Sequence, residues 1–435
     1  MAPSSIFQSD EQHRRLLVDC FRREAGSSAA IPGDEVDLVE TGLLDSMGWV
    51  SFLRAVETAS GATDLGIHLN GRAASFAILL AALRDPISAA APAQISEVSR
   101  HPAAAAMPAV VASSSSAVGS RVIAAEEADR AFGMPVGKLR GRAGIASLAY
   151  AVEGENELTL GARAAEEALR AGSCGPQQLD WIIATSETHH DYPALSAQVH
   201  SRLLARENCA ALDVGGACLG LLNALAVGQS LIGSGQAKTI LVVTADVHSR
   251  TLTPGRVAGE FGGLFGDGAS AFLLRSANGN GASGGYLLGE FIFGCAGQYA
   301  AAIQVSDSKD GSLNVKFDGE ALSRAAITRM EKVLAAVELR SGIPRASVGG
   351  FATHQPNPRL VTLLAKQCGV PKSAFPLVAR VSGNLGSSTC GAALHETLRN
   401  AAKQEPGHRR PIFLASLGPG LLFGGGWLTA LENGK

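Results

Sequence analysis

Apolar positions along the first 85 residues recur three and four apart. HRRLLVDCFRRE, VETGLLDSMGWVSFLRAVETASG (39–61) and FAILLAALRD (76–85) all follow this spacing. It predicts short amphipathic helices around one small core. Residues 86–106, PISAAAPAQISEVSRHPAAAA, hold Ala, Pro and Ser and no aromatic residue. Such a stretch buries little apolar surface, so it reads as a flexible linker. From residue 107 onward short apolar runs alternate with longer helical patterns. WIIATS (181–186), TILVVTAD (239–246), ASAFLLR (269–275) and GYLLGEFIFG (285–294) read as strands, several of them covered on both faces. ENELTLGARAAEEALRAG (155–172), LGLLNALAVGQSLIGSG (219–235) and ALSRAAITRMEKVLAAVELRSG (321–342) read as helices. The alternation predicts a layered α/β domain over 107–435, preceded by a small all-α module over 8–85.

Composition narrows the function classes. A chain of 435 residues with 46% hydrophobic and 17% charged residues is not disordered. Its 37 basic and 39 acidic residues nearly cancel, which argues against nucleic acid as a partner. No apolar run reaches the ~18–20 residues of a membrane span, and MAPSSIFQSDEQHRR has no apolar secretory segment. Seven cysteines without a CxxC pair point to reduced thiols and a cytoplasmic protein. Residues 1–85 carry twelve acids against seven arginines, while the remainder has a net charge of +3. That asymmetry fits docking between the two parts, and equally two ordinary solvated surfaces.

Candidate chemistry sits at four places. In the small module, Asp45-Ser46 precedes an apolar helical stripe that includes Met47, Val50, Phe52 and Leu53. Read alone, the pair is a helix cap. In the large domain, Gly215-Gly216-Ala217 leads into Cys218 and a long apolar helix. A thiolate at a helix start is favoured by unpaired N–H groups and the dipole, whereas a lone cysteine is more often buried and structural. His354 follows an apolar run in GGFATHQPNPRLV (349–361), and Asn384 lies in the turn of VARVSGNLGSSTCGAAL (378–394). Gly279–Gly284 fits GxGxxG, but a strand-like run follows it, so no nicotinamide or flavin site is expected. His189-His190-Asp191 lacks further ligands at metal spacing, so no metal is expected either.

The N-terminal module resembles an acyl carrier protein over about 75 residues, with Asp45-Ser46-Met47 in place of that family's Asp-Ser-Leu motif. The resemblance implies a covalent 4′-phosphopantetheine arm on Ser46, attached by a phosphopantetheinyl transferase. The large domain resembles the ketosynthase III branch of the thiolase superfamily. Besides the Cys218, His354 and Asn384 motifs, LRGRAGIAS (139–147), TADVHSRTL (244–252), LFGDGASAFLL (264–274), NVKFDGEAL (314–322) and GPGLLFGGGW (418–427) carry the likeness. It implies a thiolase-like layered αβαβα fold of two related halves, placed at about 107–280 and 281–435, and a homodimer. It further implies that acyl and malonyl thioesters on carrier protein or coenzyme A are the substrates. Cys218 would hold the acyl group, and His354 and Asn384 would stabilise an enolate. An oxyanion hole would use the Cys218 N–H and an amide of Gly418 or Gly420, because Pro419 between them has no N–H. Arg142, Arg250 and Arg359 match residues that contact the nucleotide or carrier, and Tyr192 falls near a loop that reaches a partner's acyl pocket. Lys138 stands where bacterial fatty-acid members carry an adenine-stacking Trp, which suggests less dependence on free coenzyme A esters.

The reading expected from these residues is a condensing enzyme with a fused carrier, in polyketide or specialised fatty-acyl biosynthesis. Two alternatives stand beside it. One is acyl transfer through the same cysteine without condensation. The other is a non-catalytic carrier and docking protein.

Overall fold

A computed structural model of the protein describes residues 10–62, 65, 74–84, 107–278 and 285–431. The expected linker at 86–106 and the run 279–284 lie outside the described residues, as do the ends of the 8–85 segment. The described residues fall into two compact units, one holding the N-terminal helices and the other the sheet.

The N-terminal unit is helical. Helices α1 (Asp10–Ala25), α2 (Ser46–Ser60) and α3 (Phe76–Arg84) bury one face each. Phe21, Phe52 and Phe76 meet at the centre, with ring centroids 5.9–6.3 Å apart, beside Leu17, Leu53 and Leu79. Trp49, which the apolar stripe above leaves out, is buried with them. Asp45 caps α2 by accepting from the Gly48 N–H at 2.7 Å, and Gly61 closes the helix in the left-handed region at φ 72°. The loop before α2 is pinned by Asp37. Its carboxylate accepts from Val39, Glu40 and Ala74 N–H groups. Burial works against the Asp37 charge, but these three bonds hold its pKa below the usual carboxylate value.

The large unit is built on a ten-stranded sheet. Its strands are β1 (Ala109–Val118), β2 (Trp181–Thr185), β3 (Ala210–Asp213), β4 (Thr239–Val247), β5 (Asp267–Ser276), β6 (Tyr286–Leu288), β7 (Ile292–Cys295), β8 (Gly350–Thr353), β9 (Ile412–Gly418) and β10 (Leu422–Ala430). They run in the order β8-β9-β10-β6-β1-β5-β4-β2-β3, with β7 on β10. One pairing pattern occurs twice. Parallel β2 and β4 continue into antiparallel β5 and β1, and parallel β8 and β9 continue into antiparallel β10 and β6. The two sets meet where β1 pairs with β6.

Period-2 geometry explains why β4 and β5 read as continuous apolar runs. Ile240, Val242, Phe272 and Leu274 face one core, and Leu241, Val243, Ala271 and Leu273 face another. The second core is covered by helix α4 (Glu157–Ala171). The first contains helices α5 (Gly220–Gly233) and α8 (Ser387–Ala401), and it also takes in Ala352, Leu414 and Leu428 from the other strand set. These two helices therefore form a central layer. Helix α6 (Gly319–Ser341) packs outside β10, where a Cβ on Gly425 would come within 2.4 Å of Val333. Helix α7 (Pro358–Cys368) follows β8. The result is the expected alternation of helix and sheet layers.

One strand reading needs correction. GYLLGEFIFG is two strands, not one. Gly289 lies against the Trp427 indole, where a Cβ would be 2.2 Å from the ring, and its N–H bonds the Trp427 carbonyl at 2.8 Å. The chain bends around that ring, so β6 and β7 pair with different stretches of β10.

Candidate active site

Cys218 lies in a single tight turn, Ala217–Leu219, between β3 and α5. Three small residues make the turn possible. A Cβ on Gly216 would be 2.3 Å from Asn223 Nδ2, and one on Gly220 would be 2.1 Å from Thr185 Oγ1. Ala217 itself is held in the left-handed region at φ 48°, which is strained for a residue with a side chain. The Ser416 hydroxyl on β9 fixes the turn by donating to the Cys218 carbonyl at 2.7 Å.

His354 is the first residue beyond β8, and its N–H donates to the Ala415 carbonyl at 3.1 Å. Cys218 and His354 are thus tied to consecutive residues of β9. Burial pushes the imidazole down to about 4, against the pull of the Glu187 charge, so it is neutral at neutral pH. Its Nδ1 is buried without a hydrogen-bond partner among the described residues. An unprotonated nitrogen suits that place better than an N–H would, which assigns the proton to Nε2.

Asn384 stands before α8, almost fully buried. Its backbone bridges to the segment at Phe265, with N–H to Leu264 O and the carbonyl accepting from Gly266 N–H, both 2.9 Å. Its Oδ1 accepts from the Gly386 N–H at 3.1 Å and the Thr389 hydroxyl at 2.9 Å. A backbone N–H can only donate, so the amide orientation is set and Nδ2 faces the other way. Gly386 lies against Asp246 and His248, where a Cβ would be 2.9 Å from the Asp246 Oδ2 and 2.5 Å from the His248 Cε1.

Between these motifs lies a cluster that sequence reasoning missed. Glu187, two residues past the end of β2, has a side chain 15% exposed. Its N–H bonds Asp246 Oδ1 at 2.5 Å, and its Oε2 is 3.7 Å from His248 Nε2, an ion pair rather than a hydrogen bond. Burial opposes the Glu187 charge, but His248 first, then Cys218 and His354, hold its pKa below the ordinary value. His248 also faces the Gly266 carbonyl through Nδ1 at 3.3 Å and stacks on Phe265. Burial disfavours its charge, yet Glu187 and Asp246 raise its pKa. Asp246, buried and beside Glu187, is pushed up to about 6. The signal available in the sequence was position. An acid just past the C-terminal end of a buried strand stands where layered α/β folds place their chemistry.

This cluster overturns one expectation. The helix start does not dominate the thiol. Burial first, then the charges of Glu187 and Asp246, push the Cys218 thiol well above its ordinary value. It therefore rests as a thiol.

The remaining expected residues are spread out. A Cβ on Gly418 would be 3.6 Å from the Cys218 N, whereas one on Gly420 would meet nothing within 4 Å, so Gly418 is the glycine against the Cys218 turn. Arg250 is half-exposed, donating to the Glu155 carbonyl at 3.1 Å and forming an ion pair with the Glu157 carboxylate at 3.4 Å. Arg142 is exposed, and Arg359 is partly buried in the first turn of α7. Lys138 pairs with Glu260 at 3.2 Å. Tyr192 is 98% exposed, so it does not line the Cys218 site of its own chain. Ser46 is the first residue of α2, in the other unit. All seven cysteines are free thiols. Among the described residues no helix is long and apolar enough to cross a membrane.

Known proteins share this architecture and these segments. Residues 212–289 match the family model of 3-oxoacyl-[acyl-carrier-protein (ACP)] synthase III, and 339–430 match the model of its C-terminal part. The β-ketoacyl-[acyl-carrier-protein] synthase III of Haemophilus ducreyi is 29% identical over 293 residues, 66% of this chain and 86% of its own. β-Ketoacyl-[acyl-carrier-protein] synthase III 3 of Streptomyces coelicolor is 31% identical over 323 residues, 71% of this chain and 93% of its own. The crystal structure of 3-oxoacyl-(acyl carrier protein) synthase III from Pseudomonas aeruginosa superposes with a TM-score of 0.66 at 26% identity, over 74% of this chain and 98% of that one. The chain belongs to the 3-oxoacyl-[acyl-carrier-protein] synthase III family, ketosynthase III condensing enzymes with a thiolase-like fold.

Proposed function

We propose that the protein makes a β-ketoacyl thioester by decarboxylative Claisen condensation through an acyl-Cys218 intermediate. Cys218 attacks an acyl thioester and releases the donor thiol. A malonyl thioester then loses CO2, and the electrons of the broken C–C bond form an enolate. His354 Nε2–H and Asn384 Nδ2 donate to the enolate oxygen. The enolate carbon attacks the acyl-cysteine carbonyl, whose developing charge is met by the N–H groups of Cys218 and Gly418. Collapse frees the Cys218 sulfur.

The observation that carries this reading is the pairing of two neutral donors. Burial keeps His354 uncharged, and Gly386 and Thr389 turn the Asn384 oxygen away so that its NH2 is presented. Neutral donors in a water-poor site stabilise a developing oxyanion without reorganising.

The carrier role of the N-terminal unit belongs to the same proposal. Ser46 opens α2, where a phosphate diester gains from free N–H groups and the dipole. A 4′-phosphopantetheine arm there would supply a thiol for thioester linkage. Arg142, Arg250 and Arg359 are the proposed carrier contacts, Tyr192 the proposed gate toward a partner subunit, and polyketide or specialised fatty-acyl synthesis in the cytoplasm the proposed setting. A homodimer is part of this reading.

Intact-protein mass spectrometry tests it. Wild type, Ser46→Ala and Cys218→Ala are treated with a phosphopantetheinyl transferase and coenzyme A, then with acyl and malonyl thioesters. An arm that needs Ser46, an acyl adduct that needs Cys218, and CO2 release with a β-keto product are expected. Acyl migration without CO2 release would replace condensation by simple transfer.

A further inference from the structure

Each half of the sheet supports the helix start of the other half. On β9 the Ser416 hydroxyl donates to the Cys218 carbonyl at 2.7 Å, just before α5. On β4 the Thr244 hydroxyl donates to the Ser388 hydroxyl at 2.8 Å, in the first turn of α8. The residue two further along each strand faces the same way. On β9 it is Gly418, where a Cβ would crowd the Gly216 carbonyl at 2.9 Å beside the Cys218 turn. On β4 it is Asp246, which is fully buried and has no part in the chemistry above. One strand leaves its place open, and the other fills it with a carboxylate.

That carboxylate joins two segments. Asp246 Oδ1 accepts from the Glu187 N–H at 2.5 Å and the Ser186 hydroxyl at 3.3 Å, both just past β2. Its Oδ2 accepts from the Ser387 hydroxyl at 2.6 Å, at the first residue of α8. Ser387 lies between Gly386 and Thr389, the two donors to Asn384 Oδ1. Gly386 is itself pressed against Oδ2, where a Cβ would be 2.9 Å away. A hydroxyl bonded to a buried carboxylate is held more firmly than one in a neutral pair. The negative charge also suits a helix start.

We propose that Asp246 is a positioning residue for condensation, which fixes the first turn of α8 through Ser387 and so aims the Asn384 amide at the enolate oxygen. The inference rests on the condensation reading above. Asparagine at 246 keeps the shape of the side chain, but one oxygen becomes an NH2 that cannot accept. Ser387 or the Glu187 N–H then loses its acceptor. Because Asp246 acts through Asn384, its loss should matter only while Asn384 is present.

Single-turnover mass spectrometry of the full chain tests this, with hexanoyl-pantetheine as acyl donor and malonyl-pantetheine as extender. At about pH 7.5 the wild-type carboxylate is ionised, since the Asp246 value is about 6. Asp246→Asn should condense about 10–30-fold more slowly. Ser387→Ala cuts only the Oδ2 bond and should condense about three- to tenfold more slowly, with Cys218 acylated at the wild-type rate. In an Asn384→Ala background neither substitution should lower the residual rate further. A multiplied loss in that background, or acylation that falls in step with condensation, would mark a general structural role and overturn the proposal. Wild-type condensation in Ser387→Ala would also overturn it, since the Oδ2 bond would then not reach Asn384. If Asp246→Asn does not fold, Ser387→Ala decides alone. If wild type is acylated but releases no CO2, the condensation reading fails and this inference with it. The other failures leave that reading standing.

Discussion

Helices α5 and α8 share the central layer, and each begins at a small-residue turn that carries a candidate reacting group. Their entrances are built differently. Before α8 the unusual backbone is assigned to glycine, with Gly383 at φ 74° and Gly386 at φ 59°. The functional side chain there is neutral, and its amide is clamped through Oδ1. Before α5 glycine takes only part of the unusual backbone, at Gly216 with φ 130°; Ala217 also stands at φ 48°, and the side chain that follows is a buried thiol whose pKa burial and nearby carboxylates push up. A donor to an oxyanion needs orientation alone, which hydrogen bonds supply. A nucleophile needs exposure to its electrophile and a place for its proton, and those demands accept strain and charge. Cys390, inside α8 in the same layer, shows what burial does alone. Its thiol is pushed up to about 12 and meets the carbonyls of Ala352 and Ala415 at 4.0 and 3.8 Å, a structural cysteine.

The largest expected effect separates the two entrances in time. Asn384→Ala should lower condensation by about 10²–10³-fold. Acyl uptake on Cys218 should remain close to wild type. If acyl uptake fell equally, the two entrances would not divide the reaction between them, and single-turnover mass spectra decide this. Smaller is the loss expected when the amide clamp is weakened. Thr389→Val removes one of the two donors to Oδ1 and should lower condensation about three- to tenfold, again sparing acylation, since one neutral hydrogen bond contributes about 1 kcal/mol.

The site's acid sensitivity is the next test. His354 is depressed from 6.5 to about 4, so the folded state resists a proton that the unfolded chain accepts. Its contribution to stability is therefore complete above pH 6.5 and is lost as pH falls toward 4. The full difference is of order 3 kcal/mol. Urea midpoints at pH 7 and pH 4.5 should fall more in wild type than in His354→Gln. Equal falls would show that the imidazole is not buried as a neutral group.

How much of this was legible in the sequence depends on what each residue does locally. The layers were legible because β4 and β5 carry unbroken apolar runs, Ile240 to Val243 and Ala271 to Leu274, and strands read that way when both faces are covered. Cys218, His354 and Asn384 stood out because each ends an apolar run or opens a small-residue turn. The split of 285–294 was not legible, since the bend is made by Trp427, well over a hundred positions further along the chain. Glu187 was hidden for a similar reason. Its neighbours His248, Asp246 and Cys218 come from other segments, and in one dimension it is an ordinary acid in a polar loop. The direction of the Cys218 shift was misjudged because helix-start chemistry is local, while burial and the Glu187 charge are tertiary.

The smallest expected effect bears on the strain at α5 itself. Ala217 at φ 48° occupies a region that disfavours a Cβ by roughly 1–2 kcal/mol, while glycine enters it freely. Part of that gain is lost because glycine also loosens the unfolded chain. Ala217→Gly should therefore raise stability by about 0.5–1 kcal/mol, read as a higher urea midpoint. The Ser416 bond to the Cys218 carbonyl would still hold the turn, so acylation should change little. The same substitution at an ordinary helical alanine should destabilise by a similar amount. If Ala217→Gly behaves like that control, the turn is not strained, and the two entrances differ only in the groups they carry. If stability rises while acylation falls, the Cβ is a positioning element for the thiol, and the strain is retained because the nucleophile depends on it.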